Sequence, residues 1–238
     1  GEGETLYEKA TYILQYCNEL QADCSSMARI KPPLRIGIPP MLSTVFFPEL
    51  LNVFQEVHPE IPIVLEEYGS IRACNLVQND TLDLALVNME QYNIDKFNQI
   101  LLANDQIVFC VNDEHPLAKR EIITTDEMAK ESLIFFNGDS VINQLLKLRF
   151  ELHGYTPNVI MRSSQIYTTL QFLKTKKYGC FFFSSMTDKF NHIVGIPLQP
   201  PIQVKIGIIW KKGKYIRNDM QTFLNFTKKY YKEHPLTN

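Results

Sequence analysis

Four segments place small hydroxyl side chains where an apolar strand pattern gives way to an amphipathic helix: Ser43-Thr44, Ser70, Ser140 and Ser163-Ser164. A helix starting there exposes backbone N–H groups that have no intrahelical acceptor, and its aligned peptide dipoles add partial positive charge. In parallel α/β sheets such starts gather beyond the carboxyl ends of the strands. Together they would make a site for an anion or a carboxylate. A single serine is explained by capping, its commonest role at that position, so the convergence of all the starts carries the expectation.

Catalytic chemistry finds less support. His58 and His115 each precede a proline, His153 ends a helix before Gly154, His192 is isolated and His234 lies in the tail, with no cysteine or carboxylate at metal-ligand spacing. Glu66 and Glu67 are adjacent on a strand and point to opposite faces, so they do not form an acid/base pair. No Gly-x-Ser-x-Gly elbow, Walker loop or Gly-x-Gly-x-x-Gly turn occurs. No catalytic residue, metal or cofactor is expected.

The elements that would position the serines begin with a long helix. Leu6, Ala10, Ile13, Cys17, Leu20, Cys24 and Met27 alternate four- and three-residue steps, which winds one stripe along it as a coiled-coil seam. Tyr7, Leu14 and Tyr16 widen the stripe, and Lys31-Pro32-Pro33 ends the helix. Short apolar strands then alternate with helices: strands at 34–38, 61–66, 82–87, 106–111, 133–136, 159–161, 180–183 and 204–210. Helices are expected from Ser43 with Phe46, Leu50, Phe54 and Val57 inward, bent at Pro48, and after Ser140 with Val141, Leu145, Leu148 and Leu152 inward. Others start at Ser70, Thr124-Thr125-Asp126 and Ser163-Ser164, and the last spans about residues 218–232 with Met220, Phe223, Leu224 and Phe226 buried.

A chain of 238 residues, 45% hydrophobic and 21% charged, can bury one large domain or two lobes. Net charge of −2 and a pI near 6.2 give this body no basic excess for a phosphate backbone. Lys174, Lys176 and Lys177, and Lys211, Lys212 and Lys214, read as solvated surface. The five cysteines, Cys17, Cys24, Cys74, Cys110 and Cys180, are scattered in apolar runs and read as small core residues of a cytoplasmic protein. No apolar stretch is long enough to cross a membrane as a helix. The chain opens Gly1-Glu2-Gly3 without a methionine, as expected of a piece of a longer protein.

The order of these pieces resembles the LysR-type transcription regulators. Gly1 to Ala10 with Ile13-Leu14 resembles the linker helix after the winged helix-turn-helix. Leu34-Arg35-Ile36-Gly37, then Phe47-Pro48, Leu50-Leu51, Phe54 and His58-Pro59, resemble the family's first strand and helix. Leu82-Asp83-Leu84-Ala85-Leu86 is similar to its third strand and His115-Pro116-Leu117-Ala118 to its signature turn. The resemblance implies an α/β fold of two Rossmann-like lobes of the type 2 periplasmic-binding-protein kind behind a dimerisation helix at 1–31. Lobe I would comprise 34–105 and 207–238, and lobe II 106–206.

It further implies a small-molecule effector between the lobes. The contacts would come from Pro40, Met41, Leu42, Ser43 and Thr44, from Gly69, Ser70 and Ile71, from Asn137 and Ser140, and from Arg162, Ser163 and Ser164. Arg162 is the best placed cation for an effector carboxylate, against salt-bridging inside the lobe. Two departures stand out: Pro39-Pro40-Met41-Leu42 where many relatives carry small polar residues, and Ser185 where relatives often have proline. The first favours an effector with an apolar part, or none. Expected partners are a second copy, as homodimer or homotetramer, and DNA through a missing N-terminal domain, with no membrane. The rivals are a transporter's solute-binding protein, which would have no use for the seam, and an enzyme on the same scaffold.

Overall fold

The computed structural model describes residues 1–27, 32–90 and 94–234, apart from the side chains of Glu2, residues 22–27 and Val45. The elements run α1 (Glu2–Met27), β1 (Leu34–Ile38), α2 (Pro40–Val45), α3 (Phe47–Val57), β2 (Ile63–Glu67), α4 (Ser70–Gln78), β3 (Leu84–Asn88) and β4 (Phe97–Asn112). They continue with β5 (Ile123–Thr124), α5 (Thr125–Met128), β6 (Ser132–Phe135), α6 (Val141–Leu152), β7 (Asn158–Arg162), α7 (Ile166–Leu173), β8 (Tyr178–Phe183), α8 (Ser184–Thr187), β9 (Ile193–Lys211) and α9 (Asn218–Glu233).

Helix α1 carries the expected stripe, but its described large apolar side chains are exposed within one chain. Leu6, Tyr7, Tyr12, Ile13, Leu14, Tyr16 and Leu20 are between 64% and 76% exposed. Cys17, expected in a core, is exposed with them, whereas Cys74, Cys110 and Cys180 are buried. The side chains of Cys24 and Met27, and Lys31 at the expected helix end, lie outside the described residues. Gln15 ties α1 to the body by donating from Nε2 to the Gly213 carbonyl at 2.8 Å.

Strand β1 pairs in parallel with β2 on one side and β3 on the other. Strand β3 is buried throughout, as a continuous apolar run between two covered faces requires. Helix α3 buries Phe47, Leu50 and Phe54, and the Phe54 ring meets Phe223 of α9 edge-on at 5.1 Å. Val57, expected inside, is exposed at the end of that helix. On the far side β6 pairs in parallel with β7 and β8. Helix α6 turns Ile142, Leu146 and Phe150 inward, so Leu148 and Leu152, expected in the core, face out.

Two long strands join these halves. The sheet order is β2-β1-β3-β9-β4-β8-β6-β7, with β5 on β9. Strands β4 and β9 run antiparallel from the Phe97·Lys211 pair to Asn112·Ile193. One end of β9 also pairs with β3, and the opposite end of β4 pairs with β8. The chain thus forms two α/β lobes stitched by one shared ladder. The expected boundaries at 105/106 and 206/207 fall within those two strands, which both run on through them. Among the described residues no helix is long and apolar enough to cross a membrane.

One buried charge anchors the first lobe. Asp83, just before β3, accepts from Arg35 Nε at 3.2 Å, Arg35 Nη2 at 3.1 Å and Lys214 Nζ at 3.0 Å. Lys211 and Lys214, read from sequence as solvated surface, both pair with Asp80 here. Burial would raise the Asp83 carboxyl, but the hydrogen bonds from Arg35 and the charge of Lys214 outweigh it and hold the group below the ordinary carboxylate range. A pKa depressed on folding gives stability that is present above the unfolded value of about 4 and lost as pH falls through the folded one. The urea midpoint of the protein should therefore fall through that acid window, and Asp83→Asn should flatten the fall while costing about 1–3 kcal/mol at neutral pH. An unchanged acid limb in Asp83→Asn would show that other carboxylates govern it.

Candidate functional site

The carboxyl ends of β1, β2 and β3 in one lobe open toward the ends of β6, β7 and β8 in the other, and the gap between them is the cleft. Pro39, Pro40, Met41, Leu42, Gly69, Ser70 and Asn88 line it from the first lobe. Phe136, Asp139, Ser140, Val141, Ile142, Ser164 and Phe183 line it from the second. Its walls are mostly apolar, with Met41, Leu42, Phe136, Ile142 and Phe183 all buried. The cavity is only about 40 Å³. That is room for about two or three waters, far below the several hundred cubic ångströms of a metabolite site.

Of the residues expected at the site, Pro40, Met41, Leu42, Gly69, Ser70, Ser140 and Ser164 meet in the cleft. Ser43 and Thr44 do not line it; both hydroxyls donate to the Pro40 carbonyl, at 2.9 and 2.8 Å, and Ser43 also bonds Glu67. Ile71 contributes a backbone N–H that donates to the Asp139 carbonyl at 3.3 Å. Asn137 is exposed, its N–H directed at Ser164 Oγ at 3.4 Å. Ser163 Oγ accepts the Gln165 N–H at 3.1 Å. Arg162 is exposed, has its guanidinium 5.8 Å above the Phe135 ring, and makes no ion pair among the described residues, so the salt bridge weighed against a ligand role is not formed.

The serines do not cap their helices. Proline is tolerated in a first turn, so α2 begins at Pro40 with Pro39 as its N-cap and Ser43 lies inside it; α2 and α3 then meet at Phe46 instead of forming one bent helix. The N-caps of α4 and α7 are Gly69 and Gln165, and Ser140 holds that position on α6 without a side-chain bond. Ser70 Oγ instead accepts the Asn88 N–H at 3.0 Å, inside the protein. The turn before α6 is closed by Asn143, whose Oδ1 accepts the Phe136 N–H at 3.0 Å and whose Nδ2 donates to the Asn137 carbonyl at 2.8 Å.

Two residues matter most: Asn88, outside every segment expected at the cleft, and Asp139, within the 137–140 segment expected there but not singled out. Asn88 ends β3, is 3% exposed, and accepts the Glu90 N–H on Oδ1 at 3.1 Å, while its Nδ2 has no partner among the described residues. A polar residue closing an apolar strand at its carboxyl end was the signal for it. Asp139 crosses from the second lobe and accepts the Gly69 N–H on Oδ2 at 2.8 Å.

Elsewhere, three histidines lie beside carboxylates, two of them distant in sequence. His58 is 3.4 Å from Glu60, His115 is 3.6 Å from Glu131 and His192 is 2.8 Å from Asp113. None of these lines the cleft, and among the described residues no group of three His, Cys, Asp or Glu side chains could hold a metal.

Two lobes on crossing strands, with helix amino ends facing across a mostly apolar cleft, define a ligand-binding fold of the type 2 periplasmic-binding-protein kind. Residues 28–232 match the family described as the LysR substrate binding domain. The chain belongs to that family and is the effector-binding region of a LysR-type transcriptional regulator. It is 28% identical over 204 residues to the uncharacterized HTH-type transcriptional regulator YwbI of Bacillus subtilis (strain 168), covering 84% of this chain and 67% of YwbI. Among solved structures, the effector binding domain of QuiR in complex with shikimate superposes with a TM-score of 0.72 at 21% identity, over 85% of this chain and 98% of that one. The regulatory domain of Synechocystis PCC6803 CcmR in complex with 2-PG gives 0.76 at 19% identity, over 84% and 97%.

The contrast between Ser70 and Asn88 is measurable by urea denaturation. Ser70→Ala leaves the buried Asn88 N–H without its acceptor and should cost about 1–3 kcal/mol. Asn88→Ala loses the bond to Glu90 but also removes an unpaired donor, so its stability should stay within about 1 kcal/mol of the parent. A larger loss in Asn88→Ala would make Asn88 a structural residue.

Proposed function

We propose that a small molecule binds between the lobes, and that this changes how paired copies present N-terminal DNA-reading domains in the cytoplasm. The observation that carries this reading is the buried Nδ2 of Asn88, a donor with no partner among the described residues in a mostly apolar cleft. A buried polar group without a partner costs stability, and a ligand acceptor would recover that cost. The cleft lining holds one ionisable side chain, Asp139, which supports binding over acid/base catalysis. The QuiR and CcmR domains carry shikimate and 2-PG, which supports a small, oxygen-rich effector here. Arg162, exposed and close in sequence to Ser164 at the cleft, would attract an acidic one. Lobe I is taken as 34–105 with 207–238, and lobe II as 106–206.

A thermal-shift screen of metabolites tests the reading. An effector present at about 100 times its dissociation constant stabilises the fold by about 2.7 kcal/mol. That gain should shrink in Asn88→Ala and, for an acidic effector, in Arg162→Ala. A hit that stabilises all three proteins equally would place its site elsewhere.

The unpartnered stripe on α1 supports a second copy as its cover, giving a homodimer and, with contacts between the lobes, a homotetramer. Sedimentation at micromolar concentration should show an oligomer, and deletion of residues 1–30 should lower its mass. A monomer unaffected by the deletion would remove α1 from assembly.

A further inference from the structure

Helix α4 spans Ser70–Gln78, and its amino end is already occupied by the protein's own carboxylate. Asp139 Oδ2 accepts the Gly69 N–H at 2.8 Å, and the Asp139 carbonyl accepts the Ile71 N–H at 3.3 Å. Both donors belong to the first lobe and both acceptors to the second, so these bonds tie the lobes together across the mouth of the cleft. The approach depends on glycine, because a Cβ on Gly69 would stand 2.4 Å from Asp139 Cγ and from the Asp139 carbonyl oxygen. Negative charge on free helix N–H groups is favourable, so the contact is electrostatic as well as geometric. Asn88 supplies the second observation: it lines the same cleft, is 3% exposed, and offers Nδ2 with no acceptor among the described residues.

We propose that Asp139 is a tethered substitute for an acidic ligand, filling the anion subsite on α4 and holding the lobes shut until a ligand carboxylate displaces it. Two carboxylates cannot share this helix end, because like charges at contact distance repel and the donors are few. The incoming carboxylate takes the Gly69 and Ile71 N–H groups, and a second ligand oxygen accepts from Asn88 Nδ2. The turn at 136–140 is released, the cleft widens, and the apolar walls receive the body of the ligand. The ligand class is therefore a carboxylic acid with a second oxygen acceptor and an apolar part. This rests on the cleft being the effector site, whereas the clasp between the lobes stands on its own geometry.

Chemical rescue tests it, with sodium acetate as the probe. Asp139→Ala should melt about 3–12 °C below the parent, the loss expected for a charge-assisted hydrogen bond in a domain of this size. Its radius of gyration by X-ray scattering should rise. Acetate should restore both readouts in Asp139→Ala, sodium chloride at equal ionic strength should not, and the parent protein should respond little to either. Gly69→Ala keeps the carboxylate but displaces it, and should expand the particle as well. An Asp139→Ala protein with parental midpoint and radius would overturn the proposal, as would acetate and chloride acting alike or a Gly69→Ala protein that stays compact. These outcomes do not depend on the metabolite screen, so the clasp and the effector reading can fail separately. A bound effector found with the Asp139–Gly69 bond intact would overturn displacement while leaving the effector site in place.

Discussion

The ladder between β4 and β9 constrains everything else, because both strands are shared by the two lobes and their backbone hydrogen bonds cannot all be kept if the lobes separate freely. The distance between α4 and α6 is therefore governed by twist and bend in two strands. The ladder is interrupted where its register shifts between the Ile107·Ile202 and Val108·Pro197 pairs, and residues 198–201 leave it there. Pro200 and Pro201 have no N–H to give back to it. The Asp139 to Gly69 contact adds a second tie between the lobes, across the cleft.

Much of the architecture was legible because periodicity reports burial directly. Strand β3, buried at every residue, reads as an unbroken apolar run, and the α1 stripe is plain from its spacing. The long strands were legible only in part. The first half of β4 alternates buried and exposed positions, with Asn98, Asn104 and Asp105 in it, and reads as loop until the apolar run at Ile107. The first half of β9 contains Pro197, Pro200 and Pro201, which argue against a strand unless it bulges. In α6 the apolar residues surround most of the helix, so spacing alone did not choose between the Leu148 face and the Phe150 face. The buried Arg149 and Asn143 lie on the inward side, where no hydrophobic pattern would place them.

The cleft was legible as a meeting place of strand ends but not as a set of bonds. Ser70, Ser140 and Ser164 come to the cleft because parallel strands deliver their carboxyl ends to one edge, a consequence of topology that sequence order already contains. Their hydroxyl roles depend on distant partners. Ser70 holds the backbone of Asn88, eighteen residues on, and Ser164 faces the backbone of Asn137. Capping is a local rule, and here tertiary hydrogen bonds took the serines away from it. The helix ends were left without caps of their own, which is why a carboxylate from the other lobe could take one of them.

The same geometry connects the cleft to α1. A lone helix in water gains little from its backbone alone, and the exposed leucines, isoleucine and tyrosines of α1 each forgo roughly 1.5–3 kcal/mol of burial until another surface covers them. Gln15 of α1 bonds the body at Gly213, in the turn that follows β9. That turn is braced by Lys211 and Lys214 on Asp80 and Asp83, which ties it to the first lobe. Any rotation of that lobe about the β4–β9 ladder carries the Gly213 carbonyl with it, and Gln15 must follow or let go. The first lobe thus holds both elements, α4 packed beside β3 and α1 through the Gly213 carbonyl.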